Sequence, residues 1–217
     1  MTEFQKEDRN LVRRVPKRGH YDKETVYEII DEALMCHVGF TMENQPFVIP
    51  TIHVRDGDRI LLHGATTSRL LKHVEAGNPL CITVTHLDGL VLARSVFHHS
   101  MNYRSAVVFG KGHLVEDGEK MSALELFTEK LIPGRWDDAR IPGRQELKAT
   151  TVVAVSIESA SAKIRKGGPV DDDEDYDLDV WAGVVPMRVA FDGAEPDENL
   201  KEGIVMPDYL NSYFEQV

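Results

Sequence analysis

The sequence predicts a mainly β protein, a closed antiparallel barrel with helices packed against its outside. Three observations lead to this fold class. Segments of β-branched and alternating apolar residues follow one another through short turns containing Gly, Asn and Asp. Only two or three segments carry the apolar spacing of an amphipathic helix, and no segment repeats another. Strands connected in this way favour a closed antiparallel sheet with helices outside it.

Composition limits the function classes. With 25 Lys+Arg against 36 Asp+Glu, the net charge of the 217-residue chain is -11, which argues against a nucleic-acid partner. No uncharged apolar run approaches the roughly 20 residues of a membrane span. The two cysteines, Cys36 and Cys81, lack metal-ligand or redox spacing, which is typical of free thiols in a reducing compartment. We therefore expect a cytoplasmic protein with no membrane segment.

The first 43 residues predict an arm, a helix and the start of the sheet. Residues 1–20 are polar and are predicted to form an extended arm, either solvated or with one arginine folded over a ligand phosphate. Apolar residues at helical spacing after Asp22 predict a helix that ends near Cys36. Two strands of a hairpin then follow, over 38–42 and 47–54. The arm carries five basic residues, Arg9, Arg13, Arg14, Lys17 and Arg18.

Pro50 lies inside the second of these strands. Because proline cannot donate a hydrogen bond to a neighbouring strand, we expect the strand to be an edge strand or to bulge there. A ligand could lie against the backbone at such a position, or the residue is an ordinary edge-strand proline.

The stretch from Leu61 to Val74 predicts a strand, a turn and a helix start, and it contains the first candidate site. Thr66, Thr67 and Ser68 supply hydroxyls, and Arg69 supplies a guanidinium. Together with free N–H groups at a helix start, these groups suit a phosphate. The alternative is that Thr67 or Ser68 only caps a surface helix.

The rest of the chain predicts further strands and one long helix. A hairpin over 80–97 turns at Leu87-Asp88-Gly89, one strand covers 105–115, a helix covers 121–132, and a central strand covers 150–157 and continues toward Ile164. The acidic run at 171–177 predicts a solvated loop, with a divalent-metal site as the weaker alternative. The apolar residues from Val180 onward are expected to pack on the barrel or on a second subunit.

Common catalytic motifs do not match this sequence. Nine histidines invite a metal interpretation, but His98 and His99 are adjacent and would face opposite sides of a strand, so we predict no metal site. The chain has no Walker loop or nucleophile elbow, and Gly110-Lys111-Gly112 leads to no helix, which disfavours a Rossmann sheet.

Four segments together carry a family resemblance: 47–51, 62–65, 68–69 and 99–110. In this order they resemble the pyridoxamine 5'-phosphate oxidase-like split-barrel flavoproteins, most closely the branch related to nitroimidazole-resistance (Nim) proteins. The resemblance covers roughly residues 12–185. It implies a six-stranded antiparallel split barrel with flanking helices, a homodimer, and flavin mononucleotide (FMN) bound at the dimer interface. The implied organisation is an N-terminal arm (1–20), an FMN-binding domain (21–185) and a C-terminal extension (186–217) that packs on the barrel or the dimer partner.

The resemblance also implies which residues bind the flavin. Val48, Pro50 and Thr51 would line the isoalloxazine ring, and His63, Gly64 and Ala65 would contact the ring edge or the ribityl chain. The phosphate would be held by Thr66, Ser68 and Arg69. Asn102, Tyr103 and Ser105 would approach from the other subunit, and the late aromatic Trp181 would close the pocket.

One departure from the family pattern affects the phosphate site. Leu70 stands where related oxidases usually have lysine, so Lys72 or an arm arginine would supply the second charge. We expect an oxidoreductase that uses NAD(P)H to reduce a small organic acceptor, a nitro compound or a flavin. His63 is the candidate for proton transfer or substrate contact, with a structural histidine as the alternative. Two other functions stay open: a flavin carrier without turnover, and a haem-handling barrel in which His53, His63 or His98 is an axial ligand.

Overall fold

The computed structural model describes residues 2–214 as two antiparallel sheets with helices on their outer sides. Eleven strands occur in this part of the chain. They are β1 (Gly19–His20), β2 (Met35–Met42), β3 (Gln45–Ile52), β4 (Val54–Asp56), β5 (Arg59–Ala65), β6 (Leu80–Leu92), β7 (Ser100–Gly110), β8 (Gly112–Leu114), β9 (Thr150–Ser156), β10 (Ser159–Arg165) and β11 (Gly183–Pro186).

Six α-helices and four short 3-10 turns connect these strands in the described residues. The helices are α1 (Lys23–Glu32), α2 (Arg69–Glu75), α3 (Asp117–Leu131), α4 (Arg135–Asp138), α5 (Arg144–Ala149) and α6 (Asn211–Phe214). The 3-10 turns are Pro16–Arg18, Val96–His98, Asp173–Asp177 and Asp208–Leu210. Within residues 2–214, no helix has the length and apolar content needed to cross a bilayer.

The larger sheet has the strand order β1-β10-β7-β6-β2-β3, with β11 also paired to β6, and the smaller one has the order β4-β5-β9-β8. The predicted fold class, mainly β with peripheral helices, is confirmed. The strand count differs from the six predicted. Four of the strands are only two to four residues long, and such short pairings carry no hydropathy pattern that a sequence can reveal.

Two hydrophobic clusters lie on opposite faces of the smaller sheet, and β5 shows how. Successive side chains of a strand point to opposite faces. Ile60 and Leu62 belong to the large cluster inside the barrel, whereas Leu61 belongs to a smaller cluster that contains Phe127 of α3. One strand therefore separates the barrel interior from the space beneath α3.

The edge position of Pro50 was predicted correctly. It lies in β3, the last strand in the order of the larger sheet, and is paired with His37 of β2 on one side only. A proline is tolerated there because an edge strand has N–H groups that need no partner strand.

Three sequence-based boundaries were wrong. The first helix ends at Glu32 rather than near Cys36, because residues from Met35 onward pair with β3. The predicted hairpin over 80–97 is the single strand β6, in which a register shift between Leu87 and Gly89 takes the place of a turn. The predicted strand over 105–115 is interrupted at Lys111, where the chain leaves the larger sheet and enters the smaller one.

Both ends of the described chain are tied to the body of the fold. The side chain of Asn10, 3% exposed, donates hydrogen bonds to the carbonyls of Gln5 (2.9 Å) and Ala160 (3.1 Å). Near the other end, the hydroxyl of Tyr213 donates to the carbonyl of Leu131 at the end of α3 (2.5 Å). The arm therefore lies against β10, and the C-terminal segment lies against α3.

Candidate functional site

The predicted phosphate site lies where β5 leads into α2. Ser68 precedes the helix, and its hydroxyl accepts a hydrogen bond from the backbone N–H of Leu71 (3.4 Å), so this side chain does cap the helix. The guanidinium of Arg69 lies over the ring of Phe47, 4.7 Å from its centroid. In residues 2–214, Arg69 forms no ion pair, although most other arginines do. Its charge is therefore available to an anion.

The β3 residues predicted to line the flavin ring lie on the exposed edge strand next to Phe47. The side chain of Val48 is 67% exposed, and Pro50 is exposed as well. An apolar edge strand open to this degree commonly marks a ligand or protein contact. Val48, Pro50 and Thr51 thus share one exposed strand, as the sequence predicted.

The three β7 residues of the predicted site lie far from β3 within one chain. Two strands, β6 and β2, separate β7 from β3, so the separation is three strand spacings or roughly 14 Å. Asn102 is buried, and its amide donates to the carbonyl of Gly167 (3.1 Å) and accepts from Arg165. Asn102, Tyr103 and Ser105 therefore do not lie beside Val48, Pro50 and Thr51 in the sheet.

Trp181 lies just before β11 and is 66% exposed. Its ring packs against Gly183, where an added Cβ would come within 2.9 Å of the indole. The structure places this aromatic beside β6, the partner strand of β11.

His63 lies in a cavity of about 470 Å³ between β5 and α3. Because side chains alternate along β5, His63 points to the same side as Leu61, beneath α3. Gly64 points to the opposite side, where an added Cβ would lie 3.3 Å from Leu71 of α2. His63 and Arg69 therefore lie on opposite sides of the smaller sheet, His63 in the cavity beneath α3 and Arg69 on the side of α2. The walls of the His63 cavity are mainly apolar and include Ile52, Leu124, Phe127, Leu131, Ile132 and Trp136.

The imidazole of His63 has no hydrogen-bond partner among the described residues. Its Nδ1 is fully buried, so Nε2 is the nitrogen that can reach the cavity. Burial lowers the pKa of His63 below its ordinary value, because the apolar surroundings disfavour the charged form. At neutral pH the ring is neutral and can offer a nitrogen lone pair to a ligand or metal centre.

A second buried histidine, His53, was named in the sequence analysis only as a possible axial ligand. It is fully buried, and its Nε2 lies 2.9 Å from the carbonyl oxygen of Ile30 and 3.2 Å from Nζ of Lys130. Burial, followed by the Lys130 charge, lowers the pKa of His53 to about 4. Burial also lowers the pKa of Lys130 to about 8. The Nδ1 of His53 is buried without a partner among the described residues, like that of His63, but its Nε2 is engaged by Ile30 and Lys130. His53 does not line the cavity that His63 lines.

Most of the acidic segment at 171–177 is exposed, as predicted, and Asp171 is the exception. Asp171 has a side chain with 0% exposure, and its carboxylate accepts hydrogen bonds from the backbone N–H groups of Arg94 (2.9 Å) and Ser95 (3.2 Å). Ligand atoms of His98, Asp172 and Asp175 lie within 4.8 Å of one another. Exposed groups are often this close without a metal, so we assign none to them.

Sequence reasoning missed the residues that close the His63 cavity. Phe127 and Leu124 were recognised as apolar positions of a helix, but nothing local indicates that α3 covers β5. Trp136, which follows the Pro133-Gly134 break, was not singled out. The sequence did contain one signal, because the apolar residues of α3 cover a wide face of the helix. In the structure that face contacts both the smaller sheet and the cavity.

The two packed antiparallel sheets with helices on their outer sides form the split-barrel architecture that was expected from the sequence. Residues 22–164 match the family model described as Pyridoxamine 5'-phosphate oxidase, and the chain belongs to this family. The family expected from the sequence is therefore confirmed. The comparison with curated proteins finds no match.

Three solved structures are similar to this chain. The flavocytochrome Anf3 from Azotobacter vinelandii is 40% identical with a TM-score of 0.90, over 95% of this chain and 97% of that one. A protein from Mycobacterium smegmatis, described as an FAD and heme binding protein, is 32% identical with a TM-score of 0.87, over 91% and 97% of the two chains. A 5-nitroimidazole antibiotic resistance protein from Bacteroides thetaiotaomicron is 25% identical with a TM-score of 0.55, over 66% and 84%.

Proposed function

We propose that this chain is an oxidoreductase that binds a flavin and a haem, with His63 as the axial ligand of the haem. The observation that carries the proposal is the neutral, unpartnered imidazole of His63 in an apolar cavity. Two relatives that align over nearly their whole length support it, since one is described as a flavocytochrome and the other as an FAD and heme binding protein. Flavin binding and haem binding, which the sequence analysis treated as alternative functions, are thus combined in one protein.

The His63 cavity fits a haem in size and chemistry. Its volume of about 470 Å³ lies within the range of roughly 300–1,000 Å³ that is usual for cofactor pockets. Its aliphatic and aromatic walls suit a macrocycle, and histidine is a common axial ligand of haem iron. Arg140 lines the cavity and could bind a propionate, although its guanidinium now pairs with Glu146 (2.7 Å).

Among the three histidines considered as ligands, His63 is favoured for a structural reason. His53 is held by Ile30 and Lys130 and offers no open side. His98 lies 3.2 Å from the carboxylate of Asp172 in a solvated turn. His63 alone of the three lines an apolar cavity, and its depressed pKa leaves the neutral form that metal ligation requires.

The flavin would bind on the other side of the smaller sheet. Arg69, which has no ion pair among the described residues, would hold the phosphate, and Val48, Pro50 and Thr51 would lie against the ring. FMN and FAD share this phosphate and ring, so both remain candidates. A homodimer would supply Asn102, Tyr103 and Ser105 from the second subunit, because β6 and β2 separate their strand from β3 within one chain.

A bound flavin supplies two-electron chemistry and a haem supplies one-electron chemistry. The chain's own residues would position the two groups on opposite faces of β5 and keep water away from His63. NAD(P)H as the electron donor and a small organic molecule as the acceptor remain part of the proposal. A carrier without turnover is the alternative function, and it would bind the cofactors without being reduced by NADH or NADPH.

The test is reconstitution of the purified chain with FMN, FAD and haemin, each alone and in pairs, followed by absorbance spectroscopy. We expect a bound flavin spectrum and a Soret band together, each with a stoichiometry near one per chain. Anaerobic addition of NADH or NADPH then separates an oxidoreductase, in which the bands shift to the reduced form, from a carrier, in which they stay oxidised. If haemin gives only the spectrum of the free compound, the haem half of the proposal is wrong.

A further inference from the structure

A basic pocket lies between the N-terminal arm and the outer face of the larger sheet. Its volume is about 260 Å³. Arg9, Arg13 and Arg14 line it from the arm, and Lys163 of β10 lines it from the sheet, while no acidic residue does. In a chain with a net charge of -11, four cations around one small pocket are a concentrated positive site. We call this space the arm pocket.

Part of this charge has no counterpart in the described residues. Arg9 is 2.8 Å from the carboxylate of Glu7 and 3.5 Å from that of Glu158, and Arg13 pairs with Asp8. Arg14 and Lys163 form no ion pair within residues 2–214.

The arm is held in place over the pocket by its own hydrogen bonds. The buried Asn10 side chain binds the carbonyl of Ala160 in β10, and the backbone N–H of Val12 donates to the hydroxyl of Tyr21 (2.9 Å). Since Asn10 and Val12 lie between Arg9 and Arg13, the basic side chains start from a fixed backbone. A site built in this way loses less conformational entropy when it binds an anion.

Two serine hydroxyls also line the arm pocket. Ser161 of β10 is 7% exposed as a residue and lines the pocket, and its side chain makes no hydrogen bond with a described residue. Ser105 of β7 lines the pocket as well and donates to the carbonyl of Lys163 (3.4 Å). The hydroxyl of Ser161 is therefore free to donate to a bound anion.

We propose that the arm pocket binds a phosphate or diphosphate group of a small molecule. Guanidinium, ammonium and hydroxyl groups converge on it, and all three are donors that phosphate oxygens accept. The site differs from the one at Arg69, because Arg69 does not line the arm pocket. It shares one residue with the proposed function, since Ser105 lines the arm pocket and is also assigned to the flavin of a homodimer.

Calorimetric titration of the full chain with pyrophosphate tests this site. The double variant Arg14→Gln/Lys163→Gln removes the two unpaired charges, and Ser161→Ala removes the hydroxyl. The control Lys148→Gln/Lys201→Gln removes the same net charge from exposed positions outside the arm, and Arg69→Gln removes the other anion site. We expect one pyrophosphate per chain, with a Kd raised at least about ten-fold in the double variant, as for the loss of charge-assisted hydrogen bonds, and raised less in Ser161→Ala. The Kd should be unchanged in both controls.

Three outcomes overturn the proposal. These are absence of binding heat in the wild-type chain, equal weakening in the lysine control, and loss of binding only in Arg69→Gln. Competition with ADP identifies the source of the group: displacement of pyrophosphate assigns it to a nucleotide and failure to displace assigns it to a free anion, and both support the site. Thermal unfolding of each variant establishes that the fold is intact. A raised Kd for pyrophosphate can then be attributed to the arm pocket and not to unfolding.

Discussion

The imidazole of His63 packs edge-on against the ring of Phe127, with 4.3 Å between the ring centroids. Phe127 is 3% exposed and belongs to the smaller hydrophobic cluster together with Leu61. The orientation of His63 is therefore set by packing, since no hydrogen bond to a described residue holds the ring. Its Nδ1 is buried without a partner among the described residues, so Nε2 is the nitrogen that a ligand could reach.

Replacing His63 should remove haem binding. We expect His63→Ala to weaken haemin affinity at least about ten-fold, because the axial bond is lost while the apolar walls remain. His113→Ala is the matched control, since His113 is exposed on β8 of the same sheet. Titration with haemin, followed at the Soret band, measures both. Recovery of the wild-type spectrum of His63→Gly on addition of imidazole would assign the effect to ligation, and unchanged affinity in His63→Ala would refute the assignment.

Removing Arg69 should weaken flavin binding. The guanidinium would form a charge-assisted hydrogen bond with the flavin phosphate, so Arg69→Gln should raise the Kd of FMN about 10- to 100-fold. The Kd of riboflavin, which has no phosphate, should not change. Arg188→Gln removes one exposed positive charge at a distant position in sequence and serves as the control. Quenching of flavin fluorescence gives each Kd, and equal losses for FMN and riboflavin would contradict a phosphate role.

The pKa of His53 predicts a loss of stability in acid. Its pKa is about 4 in the folded chain against an ordinary value of 6.5, so the unfolded chain binds more protons between these two values. The free energy of unfolding should therefore fall as the pH is lowered from about 6.5 to about 4, by at most roughly 3 kcal/mol from this group. His53→Gln, which cannot be protonated, should show a shallower fall. Urea unfolding of both chains at several pH values measures the difference, and parallel curves would disprove it.

Truncation of Phe127 should destabilise the chain. Phe127→Ala removes a buried aromatic ring and enlarges the cavity, for an expected loss of about 3–5 kcal/mol in the free energy of unfolding. Phe97→Ala, at a ring that is 86% exposed, should change it by less than about 0.5 kcal/mol. Chemical denaturation followed by circular dichroism compares the two. A loss below about 1 kcal/mol in Phe127→Ala would mean that α3 packs less tightly than the contacts indicate.

Gly110 should not tolerate alanine. An added Cβ would lie 2.0 Å from the carbonyl oxygen of Ser156, which is backbone and cannot rotate away. We expect Gly110→Ala to lose more than about 2 kcal/mol of stability or to fail to fold. Gly118→Ala is the control, because nothing lies within 4 Å of its added Cβ and the position is helical, where alanine is favoured over glycine. Similar unfolding midpoints for the two variants would contradict the close approach at Gly110.

Local patterns predicted much of this fold, because the elements concerned are defined by neighbouring residues. The edge position of Pro50 and the strand, turn and helix from Leu61 to Val74 are examples. The failures involve distant partners. Leu87-Asp88-Gly89 has the composition of a turn, but β11 pairs with this part of β6 from more than 90 residues away and keeps it extended. The interruption at Lys111 likewise depends on Ser156, which crowds Gly110.

The site was predictable to the extent that it is local. The hydroxyl run before Arg69 was evident from the sequence, and the structure places these residues at the start of α2. The pairing of His63 with Phe127 was not evident, because 64 positions separate them and only the docking of α3 brings them together. The close approach of Lys130 to His53 was missed for the same reason.

The smaller hydrophobic cluster has a consequence for motion. It is built from few residues and borders a cavity. Regions of this kind tend to open locally at a lower free energy than the main core. Amides of β8, β9 and α3 should therefore exchange with solvent hydrogen faster than those of β6 and β7. A ligand that fills the space beside His63 would slow this exchange by mass action. The exchange rates of the smaller sheet would therefore report whether the cofactor is bound.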